Sequence, residues 1–379
     1  MAIGDATIGA RRIIVSNTPA STVRTHHVVV IKGDGIGPEL VDASLVVLDA
    51  MQKRSGDFHL AIEFHEGGAG LYQRTGQNLA PETMEAIKQA DATMKGPVGL
   101  PEVRFADGTE AGVLGGVLRI GLDTYSNDRP VRLLPGVNAP IKAEPGEIDY
   151  VIVRENTEGM YLARGKGIGT DDAVADTMLI TRKGTERVVR HAFELASARQ
   201  GAPSDGVRRV TCVDKSNVLA SMAFFRRVFD EVADQYPDIE REYLYSDAAA
   251  QALVMQPQHF DVLVMENFLG DMLSDLGGGT IGGVGLCPSG NIGDNHAYFE
   301  PIHGSAPSIA GQDKANPTSQ ILTLALMLDH LGERGAGDAI RSAVSRALET
   351  GAVKLNELGQ PLEGTRNAAE AIAAVVSAS

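Results

Sequence analysis

The sequence predicts an α/β fold organised around a largely parallel sheet, and three observations carry that reading. Apolar runs of strand length alternate with stretches of helical periodicity along most of the chain. Glycine is abundant, 43 residues in all, as a fold full of strand-to-helix turns with positive φ requires. No internal repeat, low-complexity tract or Pro/Gly/Ser linker interrupts the alternation, and 379 residues suffice for two domains or one large unit with a split core.

In chain order, His27-Val-Val-Val-Ile-Lys32 reads as the first strand and runs into the turn Gly33-Asp-Gly-Ile-Gly-Pro38. A helix follows over 39–53, with Leu40, Ala43, Val47, Leu48 and Met51 at helical spacing. A strand at 60–65 precedes a helix at 81–89, opened by a proline in its first turn. Strand and helix then alternate at 150–154, 186–197, 209–214, 220–235 and 260–265. The glycine-rich segment 277–285 is a candidate crossing point between domains, and the stretch 318–330 and the Ala-rich C-terminus read as covering helices. Residues 1–26 read as an N-terminal extension. They contain Asp5 and lack an apolar core of signal-peptide type, with a cleaved organelle-targeting segment as the alternative.

Acidic residues number 49 against 34 Lys and Arg, a net charge of -15. A surface this negative repels nucleic acid phosphates and anionic lipid, and no run approaches the roughly 18 apolar residues of a membrane helix. Neither nucleic acid nor membrane is expected as a partner, and an anionic substrate needs a site that concentrates its own cations. Cys212 and Cys287 lie far apart and fit no metal spacing, which reads as two reduced core thiols in a cytoplasmic protein.

The glycine spacing of Gly33–Gly37 differs from a dinucleotide fingerprint and reads as a tight turn. More specific is Asn267-Phe-Leu-Gly-Asp271-Met-Leu-Ser-Asp275, directly after an apolar strand. Its aspartates stand four apart, so on a helix both carboxylates share one face and can hold one cation; a solvated acidic face is the competing reading. Asp247 offers a third hard oxygen, and three carboxylates suit Mg2+ or Mn2+ rather than zinc. Arg119, Arg129 and Arg154 form the cationic counterpart. An arginine closing an apolar strand, as Arg154 does, is costly unless it meets an anion, and its fork matches a carboxylate; each could instead pair with a protein acid. Lys215 also caps an apolar strand and becomes a candidate proton acceptor beside a divalent cation. Tyr161 is a candidate proton donor, although a lysine or tyrosine in a loop is usually a surface residue. Small residues around His303 suit a loop that approaches a flat ligand such as adenine, or an ordinary irregular loop.

Taken together, Gly33-Asp-Gly-Ile-Gly-Pro-Glu39, Leu118-Arg119, Arg129-Pro-Val-Arg132, Arg154-Glu-Asn-Thr-Glu-Gly-Met-Tyr161, Asp214-Lys-Ser-Asn217, Gly270-Asp-Met-Leu-Ser-Asp275 and His303-Gly-Ser-Ala-Pro307 resemble the β-decarboxylating dehydrogenases in order and spacing. This is the isocitrate/isopropylmalate dehydrogenase family, and the likeness runs from Val28 to Asn316. The resemblance implies a fold in which two α/β domains share one twisted sheet, the second inserted in the first. On this chain the large cofactor-binding domain is 27–124 and 282–379. The inserted small domain is 125–281, with the dimer interface and the metal and substrate site. By the same resemblance the enzyme is a homodimer with shared active sites. Arg119, Arg129 and Arg154 clamp a dicarboxylate or tricarboxylate substrate, with Lys95 and Asn217 beside them. Asp271 and Asp275 bind Mg2+ or Mn2+, while Asp247 and Lys215 reach in from the neighbouring subunit and Tyr161 lies across from Lys215. NAD lies against His303, Gly304, Ser305, Ala306, Ser308, Ile309 and Asn316. The implied reaction oxidises a 2-hydroxy acid, Lys215 taking the hydroxyl proton, and then releases CO2, Tyr161 protonating the resulting carbon.

Departures from the pattern bear on specificity. NAD-using relatives carry Asp-Ile after the His-Gly-Ser-Ala-Pro element and NADP-dependent isocitrate enzymes carry Lys-Tyr. Ser308-Ile309 offers no cation for a 2′-phosphate, which favours NAD. Glu110-Ala-Gly-Val-Leu114 resembles the pocket for an isopropyl group, but Gly115-Gly116 lengthens the path to Arg119. Lys95-Gly-Pro97 resembles an isocitrate-type element that welcomes an acidic substituent, and Arg129–Gly136 resembles the tartrate/D-malate branch. The expected substrate is a 3-substituted malate: isopropylmalate-like first, D-malate or tartrate second, an isocitrate-like acid third. A non-catalytic regulatory subunit would have lost a metal aspartate, the lysine or the tyrosine, all kept here. A phosphate-binding module on Gly33–Gly37 lacks the Gly-Lys-Ser/Thr element it needs.

Overall fold

The computed structural model describes residues 23–106, 108–163 and 165–378, so most of the expected N-terminal extension lies outside the described residues. A ten-stranded sheet forms the centre. From one edge its order is β2 (Phe58–His65), β1 (Arg24–Ile31), β3 (Ala92–Lys95), β12 (Ala297–Pro301), β11 (Pro288–Ile292), β4 (Ser126–Arg132), β5 (Asp149–Glu155), β10 (Val262–Met265), β8 (Arg209–Asp214) and β9 (Glu240–Tyr245). Two short strands, β6 (Ile168–Gly169) and β7 (Val174–Ala175), form a separate exposed hairpin.

Pairing is parallel from β2 through β1 and β3 to β12, and again from β5 through β10 and β8 to β9. Between these wings, β12–β11, β11–β4 and β4–β5 are antiparallel. The expected parallel sheet is therefore two parallel wings running in opposite directions, joined by an antiparallel centre. The centre gave no hydrophobic signal because β4 is largely polar and β11, Pro288-Ser-Gly-Asn-Ile292, carries little apolar surface to alternate.

Helices α1 (Gly37–Ser55), α3 (Pro81–Gln89), α5 (Arg182–Ala198), α6 (Ala220–Ala233) and α9 (Thr318–His330) fall where helical spacing put them. The C-terminal cover consists of α10 (Arg334–Glu349) and α11 (Thr365–Ala378), packed with α1 and α9 in one large core. The remaining helices, α2 (Ala69–Thr75), α4 (Gly115–Gly121), α7 (Ser246–Met255) and α8 (Asn267–Thr280), are shorter or glycine-rich. The first strand starts at Arg24 rather than His27, so residues 24–26 belong to the sheet. Segment 277–285 divides between the last turn of α8 and an exit through Gly282 and Gly283, at φ 100° and 122°. From there the chain leaves the second wing for β11.

Cross-strand partners point to the same face of a sheet, and this fixes where a site can form. One face carries Arg154 opposite Asn127, Asn127 opposite Asn291, Asn291 opposite Tyr298, and Tyr298 opposite Thr93. Two residues along each strand, the same face presents Ile152, Arg129, Ser289, Glu300 and Lys95. On this face α4 covers the first wing through Leu114 and Leu118 against Ile31 and Tyr298. Over the second wing lies α8, close enough that a Cβ at Gly270 would come within 2.6 Å of the Arg154 side chain. Between α4 and α8 the polar middle of the sheet stays uncovered. The opposite face of the second wing is closed by α5 and α6, with Val188, Phe193, Phe225 and Phe229 packed on Val153 and Val264.

The turn after β1 is structural, as its glycine spacing indicated. Gly33 and Gly35 have φ of 77° and 57°, and the buried Asp34 carboxylate accepts hydrogen bonds from the backbone N–H groups of Ala69 (2.7 Å), Gly70 (2.9 Å) and Gly99 (2.9 Å). Asp34→Ala would leave these donors unpaired at about 1–3 kcal/mol each. Chemical denaturation of that variant should show a loss of about 3 kcal/mol or more.

At the sheet edge, Glu333 joins β1 to α10. It accepts two hydrogen bonds of 2.7 Å from Arg24 and lies 3.0 Å from His26 Nε2. The Arg24 hydrogen bonds lower its pKa to about 2, against a small opposing effect of burial and with help from His26. A depressed carboxylate pKa stabilises the fold above the unfolded value, roughly 4.3, and that stability is lost as pH falls towards about 2. Glu333→Gln should lower Tm at neutral pH, and its deficit against the parent chain should close across that acid window. A deficit independent of pH would remove the charge from the account.

Candidate active site

A cleft of about 470 Å³ opens over the uncovered middle of the sheet between α4 and α8. Seven of the residues picked out by sequence line it: Lys95, Arg119, Arg129, Arg154, Tyr161, Asp271 and His303. Arg129 and Arg154 rise from the floor with 5% and 2% of their surface exposed, and Arg119 projects from α4. Burial, with the neighbouring guanidiniums of Arg119 and Arg129, presses the Arg154 pKa well down. Three cations this close need an anion.

Asp271 supplies part of that charge. Its carboxylate pairs with Arg154, lies 3.3 Å from Arg129 Nη1 and accepts a 3.1 Å hydrogen bond from the Tyr161 hydroxyl. Burial pushes the Asp271 carboxyl up, but the fields of Arg154, Arg129 and Arg119 outweigh it and hold the group low. Asp275, one turn on, lies 3.7 Å from Arg129, and burial raises its pKa. Asp271 lines the cleft, and Asp275 approaches the same Arg129 guanidinium from one turn further along α8. Burial and the nearby Asp271 charge raise the Tyr161 pKa, so the phenol stays protonated at neutral pH.

Side chains that the sequence reading did not single out hold the arginines in place. Asn267 Oδ1 accepts from Arg154 Nε (3.0 Å) and Nη2 (2.8 Å). Asn127 Oδ1 and Ser274 Oγ accept from Arg129 at 2.6 and 2.7 Å. Burial lowers the Arg119 pKa, but the neighbouring Tyr298 and Glu300 outweigh it and raise the group. Glu300 and Ser289 complete the floor. The register places them there, but polar residues in a short antiparallel strand carry no periodic signal. Glu300 pairs with the ammonium of Lys95, which is 1% exposed and also donates to Gly96 O at 3.2 Å. Lys95 lines the cleft with two of its three ammonium donors taken by Glu300 and Gly96 O.

His303 borders a second cleft of about 410 Å³, lined also by Gly304, Ala306, Ile309 and Asn316 from the expected cofactor set. Ile36, Leu286 and Leu358 add apolar walls. Among the described residues no Lys or Arg lines this slot, and a Cβ at Gly283 or Gly304 would meet nothing within 4 Å, so a flat ligand has room against bare main chain. Burial lowers the His303 pKa, which keeps its ring neutral. Ser305 turns inward, its hydroxyl donating to Gly99 O, and Ser308 accepts through its carbonyl from Gln312; neither lines the slot.

Lys215, Asn217 and Asp247 do not join the cleft within one chain. Lys215 Nζ lies 2.5 Å from Asp247 Oδ1 on a separate exposed surface, beside Asn217. Accordingly, among the described residues, no three His, Cys, Asp or Glu side chains converge as a metal cluster. The oxygen pair of Asp271 and Asp275 still fits a hard divalent ion with open positions for a ligand's oxygens.

Comparison with known proteins agrees with this arrangement. Residues 27–372 match the family model described as isocitrate/isopropylmalate dehydrogenase. A 3-isopropylmalate/3-methylmalate dehydrogenase from Methanocaldococcus jannaschii is 44% identical over 329 residues, covering 86% of this chain and 92% of the relative. A 3-isopropylmalate dehydrogenase from Clavibacter michiganensis is 42% identical over 340 residues, with the same coverages of 86% and 92%. Among solved structures, isocitrate dehydrogenase from Methylococcus capsulatus superposes with a TM-score of 0.82 at 36% identity, covering 93% of this chain and 99% of that one. Likeness of this extent, over sequence and fold alike, settles that the chain belongs to the isocitrate/isopropylmalate dehydrogenase family.

Proposed function

We propose that the chain catalyses NAD- and Mg2+- or Mn2+-dependent oxidative decarboxylation of a 3-substituted malate, with 3-isopropylmalate the best single substrate. The observation that carries this reading is the meeting of Arg119, Arg129 and Arg154 with Asp271 and Tyr161 in one cleft that adjoins the apolar slot at His303, with Asp275 3.7 Å from Arg129. The names of the relatives favour isopropylmalate over isocitrate, and so does the neutralised Lys95.

In this reading the three arginines bind and orient the substrate's carboxylates. Asp271 and Asp275 hold the divalent ion, and the slot with Ile309 and Asn316 holds NAD. When bound, the ion supplies Lewis acidity where an oxyanion develops and NAD accepts the hydride. Lys215 and Asp247, with Asn217, come from the second copy of a homodimer, where Lys215 takes the hydroxyl proton. Tyr161, protonated at neutral pH, supplies a proton to the carbon that loses CO2. Exposed Val218 (70%), Met255 (72%) and Met272 (57%) support association around that surface. We assign residues 27–124 and 282–379 to the cofactor domain and 125–281 to the inserted one. Two buried, unpaired cysteines agree with a cytoplasmic location.

NADH formation with malates, tartrates, isocitrate and 3-isopropylmalate, with and without Mn2+, tests the assignment. Turnover should be greatest with 3-isopropylmalate and require the ion; absence of any turnover across the panel would refute it. Lys215→Met should reduce kcat by roughly 10²–10⁴ while NAD still binds, and retained activity would exclude the lysine. Direct titration with Mn2+ should show much weaker binding to Asp271→Asn, and unchanged affinity would remove Asp271 from the metal site.

A further inference from the structure

Arg226 lies midway along α6, and its side chain reaches the two strand ends that carry Lys215 and Asp247. Its fork meets the Asp214 carboxylate at 2.7 and 2.9 Å. Asp214 is the last residue of β8 and is 1% exposed. The same guanidinium lies 5.4 Å from the Tyr245 ring centroid and 5.1 Å from that of Tyr243. Tyr245 is the last residue of β9 and the cross-strand partner of Asp214. One side chain therefore grips both members of a cross-strand pair, through two hydrogen bonds on one strand and an aromatic face on the other.

The residues just beyond these strand ends carry the proton chemistry. Asp214 Oδ1 also accepts from the Ser216 N–H at 2.8 Å, a side-chain turn around Lys215. The Lys215 carbonyl accepts from the N–H groups of Val218 and Leu219, both at 3.0 Å. On the other strand, Asp247 comes two residues after Tyr245, in the first turn of α7. The Lys215 ammonium lies 5.7 Å from the Tyr245 ring centroid and 2.5 Å from Asp247, so one ring contacts both Lys215 and Arg226. Stability alone gives no reason for a charged pair at this depth, since apolar residues of like size in place of a buried ion pair are often neutral or stabilising. A planar fork that fixes direction on two strands serves geometry instead.

Resting on the reaction proposed above, we infer that Arg226 is a positioning residue: held on Asp214 and Tyr245, it sets where the Lys215 ammonium, paired with Asp247, is presented to the second copy. A lysine in its place keeps the charge but loses the two parallel hydrogen bonds, so the turn at Lys215 shifts while the strands stay paired.

The test compares Arg226→Lys, Tyr245→Leu, Lys215→Met and each of the first two combined with Lys215→Met, at saturating NAD and Mn2+ and with the acid that the parent protein turns over fastest in the panel above. Arg226→Lys should lower kcat by about 10–100-fold, the scale of a displacement of roughly 1 Å, while KM for the acid moves by less than about threefold because the three arginines are untouched. In the Lys215→Met background the same change should cost less than about twofold, since the group it positions is gone. Tyr245→Leu leaves Asp214 paired and should show the same pattern with a loss of about threefold or more; where melting shows Arg226→Lys to be unfolded, this variant decides. A deciding variant with kcat within about twofold of the parent, or with a loss that carries over in full to the Lys215→Met background, overturns the inference and leaves the reaction standing. A parent protein silent with every acid of the panel refutes the reaction, and this role with it.

Discussion

Asp271 and the three guanidiniums around it are the constraint on which the cleft depends. Arg119, Arg129, Arg154 and Lys95 bring four positive charges over the middle of one sheet, against Asp271, Asp275 and Glu300. With Glu110, which also lines the cleft, four cations face four carboxylates before any ligand arrives. An unpaired buried ion costs several kcal/mol even after relaxation, so the neutral holders Asn127, Asn267 and Ser274 matter as much as the charges. They satisfy the guanidinium hydrogens without cancelling the charge. The charge on each guanidinium stays available to a ligand, which a site for a dicarboxylate needs within a chain of net charge -15. A divalent ion at Asp271 and Asp275 would add two positive charges and match the two negative charges of the acid.

The sheet topology makes that gathering possible. In an open parallel sheet, ligands lie beyond the carboxyl ends of the strands. Here the antiparallel centre reverses direction between the wings, so β3, β12, β11, β4 and β5 all present polar residues to the same patch of one face. The helices then leave the patch open. Gly270 lets α8 lie directly on β5 and delivers Asp271 to Arg154. At the far rim α4 begins with two glycines.

Much of this was legible in the sequence because the relevant signals are local. A spacing of four put Asp271 and Asp275 on one helical face, and apolar runs ending in Arg154 or Lys215 announced charged strand ends. The wings, α1, α3, α5, α6 and α9 follow from hydrophobic period. The antiparallel centre did not, because β4 and β11 are polar on the face that builds the site and carry little alternating hydrophobicity. Glu300 escaped for a related reason: its meaning lies in the register that sets it beside Lys95, and register is a non-local property. The Lys95–Glu300 pair was hidden at the same point, since a lysine before a glycine-proline turn shows no partner until the strand across the sheet is seen.

Lys215 and Asp247 show what one chain lacks. They neutralise each other at 2.5 Å on an exposed surface, with 31% and 72% of their side chains accessible, and contribute nothing to the cleft of their own chain. The surroundings support the proposed pairing of this surface with a second copy. Val218 and Leu219 lie three and four residues after Lys215, Met255 ends the helix whose first turn holds Asp247, and Met272 is next to Asp271, all with apolar surface in water. An apolar surface that carries one balanced ion pair can be buried at little electrostatic cost, because the pair enters with no net charge. In the proposed homodimer Lys215 and Asp247 would then arrive as a unit, the carboxylate towards the ion and the ammonium towards the hydroxyl. The site would be complete only when two chains meet, and neither chain alone would expose an unpaired base.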